Sequence, residues 1–182
     1  DGVRALSGPV TAKAGLALLF IFLAYTLLDN GHYLVEQFRT AKPFSYISGH
    51  LRRDEYISRY RREYPVFQYA NRNTPRDAKI LFVFLGKRGY YCDREYIPDT
   101  TGEVRWLHRL IKNSGAPVEI RKSMDERGIT HLMVDILILD RWLNNMFDAR
   151  VRERFMQFIR DQLVPLYLNE GVALYGLKNP LG

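Results

Sequence analysis

Cysteine is almost absent from this chain. Cys92 stands alone, so no internal disulfide can form and a cysteine-built metal site is excluded by count. Histidine is nearly as sparse, and His32, His50, His108 and His131 are scattered with no pair at ligand spacing, so no metal site is expected. The familiar signatures of phosphate binding and hydrolysis are missing as well. There is no Gly-Lys-Ser or Gly-Lys-Thr, no three-glycine dinucleotide fingerprint and no Gly-x-Ser-x-Gly elbow. On these grounds no catalytic residue, no metal and no cofactor is assigned. Internal repeats and low-complexity stretches are lacking too.

The most informative lack is of charge. From Ala14 to Leu28 the run AGLALLFIFLAYTLL carries no charged residue. Extended back to Val10 it approaches the roughly 20 residues of helix that cross a bilayer. A signal peptide would close on small residues at a cleavage site, whereas this run closes on Tyr25, Leu27 and Leu28. Residues 1–40 are therefore expected to form one transmembrane helix and its flanks, with Tyr25 and Tyr33 suited to the interfacial belt. The competing reading is a helix buried in a core. The chain opens on Asp1 rather than Met, as expected of a processed chain or a segment of a longer product.

What is present is positive charge. The chain of 182 residues has a formal net charge of +7 and is 47% hydrophobic, so it has the means to fold into one domain with an appendage. Residues 1–40 balance, with Arg4, Lys13 and Arg39 against Asp1, Asp29 and Glu36. The whole excess follows Thr40. A basic soluble part beside an apolar segment points to an anionic partner, with lipid headgroups and lipid-linked phosphates ahead of nucleic acid. For nucleic acid the only support is a set of arginines interleaved with tyrosines.

Residues 41–182 read as a separate soluble domain. A linker from Asp29 to His50 contains Pro43, Ser45, Ser48 and Gly49. An amphipathic helix follows from near Arg53, and a second begins with Pro65 in its first turn. KILFVFL at 79–85 is a continuous apolar run, as in a strand covered on both faces. A second strand lies at 88–91 or 95–97. Helices are expected over 103–113 and 117–128, a strand over 131–139, and helices over 142–147 and 149–170, the last bent or broken by Pro165. A strand over 171–178 closes the domain. Strands alternating with helices give an α/β fold, expected as a three-layer sandwich with a small, mainly parallel sheet.

Two groups of residues are candidate sites. The loop after the first strand holds Gly86, Lys87, Arg88, Gly89, Asp93 and Arg94, where open α/β sheets place ligands; the competing reading is a plain structural loop. Arg52, Arg53, Arg59, Arg61 and Arg62 follow the apolar segment and are candidates for facing anionic lipid, or else form a solvated helix face paired with Asp54, Glu55 and Glu63. Asp135 interrupts an apolar run, either as a buried carboxylate of raised pKa or as a residue that ends a strand at a helix N-terminus.

The segments RRDEYI, YPVFQYANRNTPRDAKILFVFLGKRGYYCDREYIPD, ERGITHLMVD and LYLNEGVALYGL together resemble a known family. Over residues 45–178 the chain is similar to the C-terminal tail of bacterial GT-C-type glycosyltransferases related to the protein mannosyltransferases. The resemblance implies a polyprenyl-phosphate-sugar-dependent parent enzyme whose catalytic acid and donor loops belong to a multi-span region upstream. It implies a non-catalytic accessory or acceptor-positioning tail on the extracytoplasmic side of the bacterial inner membrane. The implied partners are the lipid bilayer, the upstream membrane domain of the same protein and a polyprenyl-phosphate-linked sugar or its acceptor. The alternative is a self-contained, single-span α/β protein that binds an anionic ligand at Gly86 to Arg94.

Overall fold

A computed structural model describes residues 9–178. The chain divides into two compact units, Asp1–Tyr56 and Ile57–Gly182, a boundary later than the one expected at residue 40.

In the first unit, α1 runs without interruption over Pro9–Ala41. At 1.5 Å per residue that is about 50 Å of helix. The linker expected from Asp29 onward is thus helical for its first half. Its polar side chains are accommodated along the helix: Asn30 donates to the Thr26 carbonyl and Arg39 pairs with Glu36. The helix ends where Lys42 turns into the left-handed region (φ 43°) ahead of Pro43, a helix stop that needs no glycine here. A short helix α2 (Pro43–Ile47) follows, and α3 (Arg53–Tyr60) crosses the boundary between the units. Tyr56 donates to the Ala41 carbonyl at 2.8 Å, and its ring stacks on Tyr46. By length and composition α1 is apolar enough to cross a bilayer, and none of its apolar stretch is buried against protein.

The second unit is an α/β fold. Its elements are α4 (Tyr64–Asn73), β1 (Lys79–Val83), β2 (Glu95–Ile97), α5 (Thr101–Asn113), α6 (Pro117–Glu126), β3 (His131–Asp135), α7 (Ile136–Met146), α8 (Ala149–Gln162), β4 (Leu163–Asn169) and β5 (Val172–Leu177). The five strands lie in the order β2-β1-β3-β5-β4. β1 is parallel to β2 and β3, while β5 is antiparallel to β3 and β4. The sheet is therefore mixed, parallel at one end only, rather than mainly parallel.

Two segments depart from the sequence expectation. The strand expected over 131–139 stops at Asp135, whose carboxylate accepts the Ile138 N–H at 3.2 Å and so caps α7. From there Leu139 and Leu143 turn inward one helical turn apart, and the apolar run continues as helix. The helix expected over 149–170 stops at Gln162, and 163–169 is strand β4. Pro165 forbids the helix, and β4 tolerates it because it lies at the sheet edge, where the register shifts between Pro165 and Tyr167. Glu170 (φ 43°) and Gly171 (φ 80°) then make the two-residue turn of positive φ that suits a tight hairpin into β5.

Both faces of the sheet are covered, which explains the unbroken apolar run of β1. Ile80, Phe82, Met133 and Leu174 pack against Val66, Phe67 and Ala70 of α4. On the opposite face Leu81, Val83, Leu132 and Val134 pack against Leu107, Ile111, Ile120, Met124, Leu139 and Phe158. Thr100 and Asp148 cap α5 and α8 by accepting from the Glu103 and Val151 N–H groups.

Candidate functional site

An open α/β sheet offers a ligand the crevice beyond the carboxyl ends of its parallel strands, where the connections diverge. Here β1 leads to β2 on one side and has β3 on the other, so the divergence falls at the ends of β1 and β3. Two buried carboxylates lie there. Asp135, 2% exposed, ends β3 and receives Arg62 Nη2 on Oδ2. Glu63, 4% exposed, immediately follows Arg62 and pairs with Arg88 from the β1 loop at 3.4 Å. Taking a carboxylate out of water costs several kcal/mol, and the guanidinium partners offset that cost.

Arg62 does more than neutralise. Its Nη1 donates to the Glu170 carbonyl at 3.2 Å, and its own carbonyl accepts from Asn169 Nδ2 at 2.9 Å. One arginine thus ties the entry to α4, the end of β3 and the β4–β5 hairpin together. Its side chain remains about one-third exposed and that of Arg88 about half, so both keep donors toward solvent.

The loop after β1 is shaped by backbone geometry first. Phe84, a bulky non-glycine residue, sits at φ 60°, and Gly86 at φ 64°. Left-handed geometry at a residue like Phe84 costs about 1–3 kcal/mol and persists only where its surroundings hold it. The Phe84 ring packs on Trp142 at 5.3 Å, and the Gly86 N–H points to Asp99 Oδ2 at 3.5 Å. Burial raises the Asp99 pKa, and the Gly86 and Phe84 backbone N–H groups partly oppose it. Gly89 is required by close approach: a Cβ there would lie 2.2 Å from the Tyr96 ring, which itself stacks on Phe82.

The rest of the loop is pinned to α4. Asn71 donates to the Tyr91 carbonyl and accepts from the Asp93 N–H, both at 2.8 Å. Arg94 donates to the Asn71 and Thr74 carbonyls at the C-terminal end of α4, where unpaired carbonyls favour a cation. The six candidate loop residues therefore separate. Gly86 and Gly89 shape backbone, Asp93 is held through its N–H, and Arg94 caps a helix. Lys87 and Arg88 are exposed, as is the neighbouring Tyr90. Burial pushes the Cys92 thiol pKa up, with Asp93 adding to it and the Arg94 backbone and side chain opposing, so the thiol stays protonated at neutral pH.

The five candidate arginines separate in the same way. Arg52 and Arg53 belong to the first unit, and Arg52 pairs with Glu55 at 3.1 Å. Arg59, Arg61 and Arg62 belong to the second. Arg53, Arg59 and Arg61 are exposed. Arg62 is the staple described above, and Glu63 serves Arg88 rather than an arginine of α3. Asp135 is both buried and the end of a strand at a helix N-terminus.

Two functional-looking features escape the sequence: the pairing of Arg62 with Asp135 across 73 residues, and the Asn71 clamp. Asn71 had a local signal, since the YANRNTP segment closes a helix that runs into a buried strand. Among the described residues no three His, Cys, Asp or Glu side chains gather as a metal would require. The arrangement offers exposed guanidinium and ammonium donors over two neutralised carboxylates, which suits contact with an anion. No protein-family model matches the chain, and no curated protein matches it.

Proposed function

We propose that this chain is the membrane-tethered, non-catalytic tail of a larger glycosyltransferase that uses polyprenyl-phosphate sugars. In this reading α1 spans the bacterial inner membrane and the α/β unit, a three-layer sandwich, is extracytoplasmic. The observation that carries the tether is the exposure of α1. Nine large apolar side chains between Leu16 and Leu28 are each 46–75% exposed, and no charge interrupts them. Leaving them in water costs on the order of 10 kcal/mol, comparable to the whole stability of a domain, so a lipid or protein cover is required. Bilayer hydrocarbon, about 30 Å thick, supplies that cover over the apolar stretch from Leu16 to Leu28.

The transferase assignment rests on the resemblance over residues 45–178. Within the segment YANRNTPRDAKILFVFLGKRGYYCDREY that carries this resemblance, Asn71 and Arg94 tie the loop to α4 in one interlocked structure. A scaffold built this way stabilises and positions. Of the loop cations only Arg94 is spent on backbone carbonyls, while Arg88 and Lys87 keep donors toward solvent, so the self-contained anion-binding reading stands as the alternative.

Alkaline phosphatase fused after residue 182 tests the sidedness. The proposal expects an active fusion that resists carbonate extraction, and an inactive or extractable fusion would refute it. Reading the parent open reading frame tests the transferase assignment. Several hundred upstream residues rich in apolar spans are expected, and their absence would leave only the tethered α/β unit.

A further inference from the structure

Apart from the ion pairs at the ends of β1 and β3, α5 and α7 border a hollow of about 310 Å³ lined by Val104, Arg105, His108, Arg109, Trp142 and Met146. We propose that it binds a small ring-bearing organic anion, a phosphate or carboxylate carried on a sugar or aryl ring.

The charge argument comes first. Arg105 and Arg109 stand one helical turn apart on α5, both exposed, and neither forms an ion pair among the described residues. No acidic side chain lines the hollow. Carboxylates elsewhere on α5 and α7 and at the start of α8 have other hydrogen-bond partners. Glu103 is held by Arg127 through two bonds of 2.7 and 3.1 Å, Asp140 accepts from Asn144, and Asp148 caps α8. Glu119 borders a neighbouring hollow that Arg109 also reaches, and it takes the Gly115 N–H at 2.6 Å. Two uncommitted guanidiniums at one spacing are a geometry that meets an anion with several charge-assisted hydrogen bonds.

The ring argument comes from the opposite wall. Trp142 is fixed by neighbours on several sides, tilted against Phe84 at 5.3 Å and edge-on to Phe147 at 5.2 Å. His108 stacks on Phe147 at 4.9 Å and meets Trp142 edge-on. An indole held rigid in this way is a platform whose ordering cost is already met by folding, and Met146 adds a polarisable apolar lip. The volume lies near the lower end of the roughly 300–1,000 Å³ typical of ligand pockets, which admits one ring and its anionic group rather than a peptide or an oligomer. A ring on Trp142 with its anion toward Arg105 and Arg109 uses every wall of the hollow. The inference does not rest on the membrane reading.

The test is titration calorimetry on the full chain in a neutral, nonionic detergent, with phenyl phosphate, glucose 6-phosphate, inorganic phosphate and glucose as probes. Ring and charge together are expected to bind about tenfold or more tighter than either alone. Comparing the two ring-bearing probes identifies an aryl or a sugar ring. The double variant Arg105→Gln, Arg109→Gln, both at exposed positions, is expected to weaken binding at least about tenfold with an unchanged melting temperature. Trp142→Phe, which keeps an aromatic wall, is expected to weaken the ring-bearing probes and leave inorganic phosphate unaffected. Equal affinity for inorganic phosphate and the ring-bearing anions would overturn the proposal, as would undiminished binding by the double variant or no binding at millimolar probe.

Discussion

The two units of this chain use the same residue types in opposite ways. In α1 leucine, isoleucine and phenylalanine stand exposed, Leu18 at 67% and Phe22 at 64%. In the α/β unit the same residues close against each other, with Phe67, Ile80 and Leu174 at 0%. Burial is what makes apolar surface stabilising, at about 25 cal/mol per Å², so the second unit carries its own driving force and the first must find one outside itself. The polar residues follow the same division. In the second unit Arg62 reaches Asp135 and Asn71 reaches Tyr91 across long sequence separations, whereas Thr26, Asn30 and Arg39 of α1 bond within a turn of their own helix.

The comparison can be broken most severely by matched truncations. Phe67→Ala is expected to destabilise the α/β unit by about 3–5 kcal/mol in a melt followed by near-ultraviolet circular dichroism in detergent. Phe22→Ala is expected to leave that melt unchanged. Equal losses from the two would mean that α1 belongs to the core.

Next in size is the staple at the carboxyl end of β3. Arg62→Ala strands the Asp135 carboxylate and releases the hairpin carbonyl of Glu170, at an expected cost of about 2–3 kcal/mol; the partial exposure of Arg62 keeps this below the figure for a fully buried pair. Arg59→Ala and Arg61→Ala, at exposed positions, are expected to change the melting temperature little. A denaturant titration of the three variants separates staple from surface.

A smaller effect is expected from pH. Burial lowers the His131 pKa, and its Nδ1 lies 2.7 Å from Thr130 Oγ1. The unfolded chain, with an ordinary imidazole near pH 6.5, then binds a proton before the folded chain does. Stability contributed by neutral His131 is present above that pH and is lost as pH falls through it toward the lower folded value. Melting temperatures at pH 7.5 and 5.5 are expected to differ less in His131→Gln than in the parent chain. The smallest effect is expected at Asp99, whose raised pKa has the opposite sign: ionisation is unfavourable in the folded loop, so stability falls as pH rises through the ordinary carboxylate value and the charge is a small cost at neutral pH. Asp99→Asn keeps an acceptor for the Gly86 N–H and is expected to be neutral or slightly stabilising in a thermal melt at pH 7.

The sequence made the fold class legible because periodicity and punctuation agreed over most elements. KILFVFL read as a doubly covered strand, which holds for Lys79–Val83 and ends where Phe84 takes a positive φ; Pro65 and Pro117 opened helices, and Gly128, at φ 68°, closed α6. It failed where two periods compete in one apolar run. HLMVDILIL has no polar residue except Asp135 to show where period two gives way to period 3.6, and the answer depends on the carboxylate capping a helix and meeting Arg62 from a distant segment. Leu163 to Asn169 failed for a related reason. Its neighbours favour helix, and only the pairing with β5 through a turn of positive φ makes a strand of it. The candidate site was half visible. Composition located the cations, but which of them are committed to carbonyls and carboxylates is a property of the tertiary fold, as the contrast between Lys87 and Arg94 illustrates.

The central claim is that α1 needs a lipid cover and that the α/β unit does not need α1. Flotation with phospholipid vesicles, run in parallel on the full chain and on residues 57–182, tests both halves in one experiment. The account predicts that the full chain floats and resists alkaline carbonate, while the piece stays in the soluble fraction and melts cooperatively without detergent. A full chain that remains soluble and monomeric in the absence of detergent and vesicles, or a piece that aggregates, would contradict it.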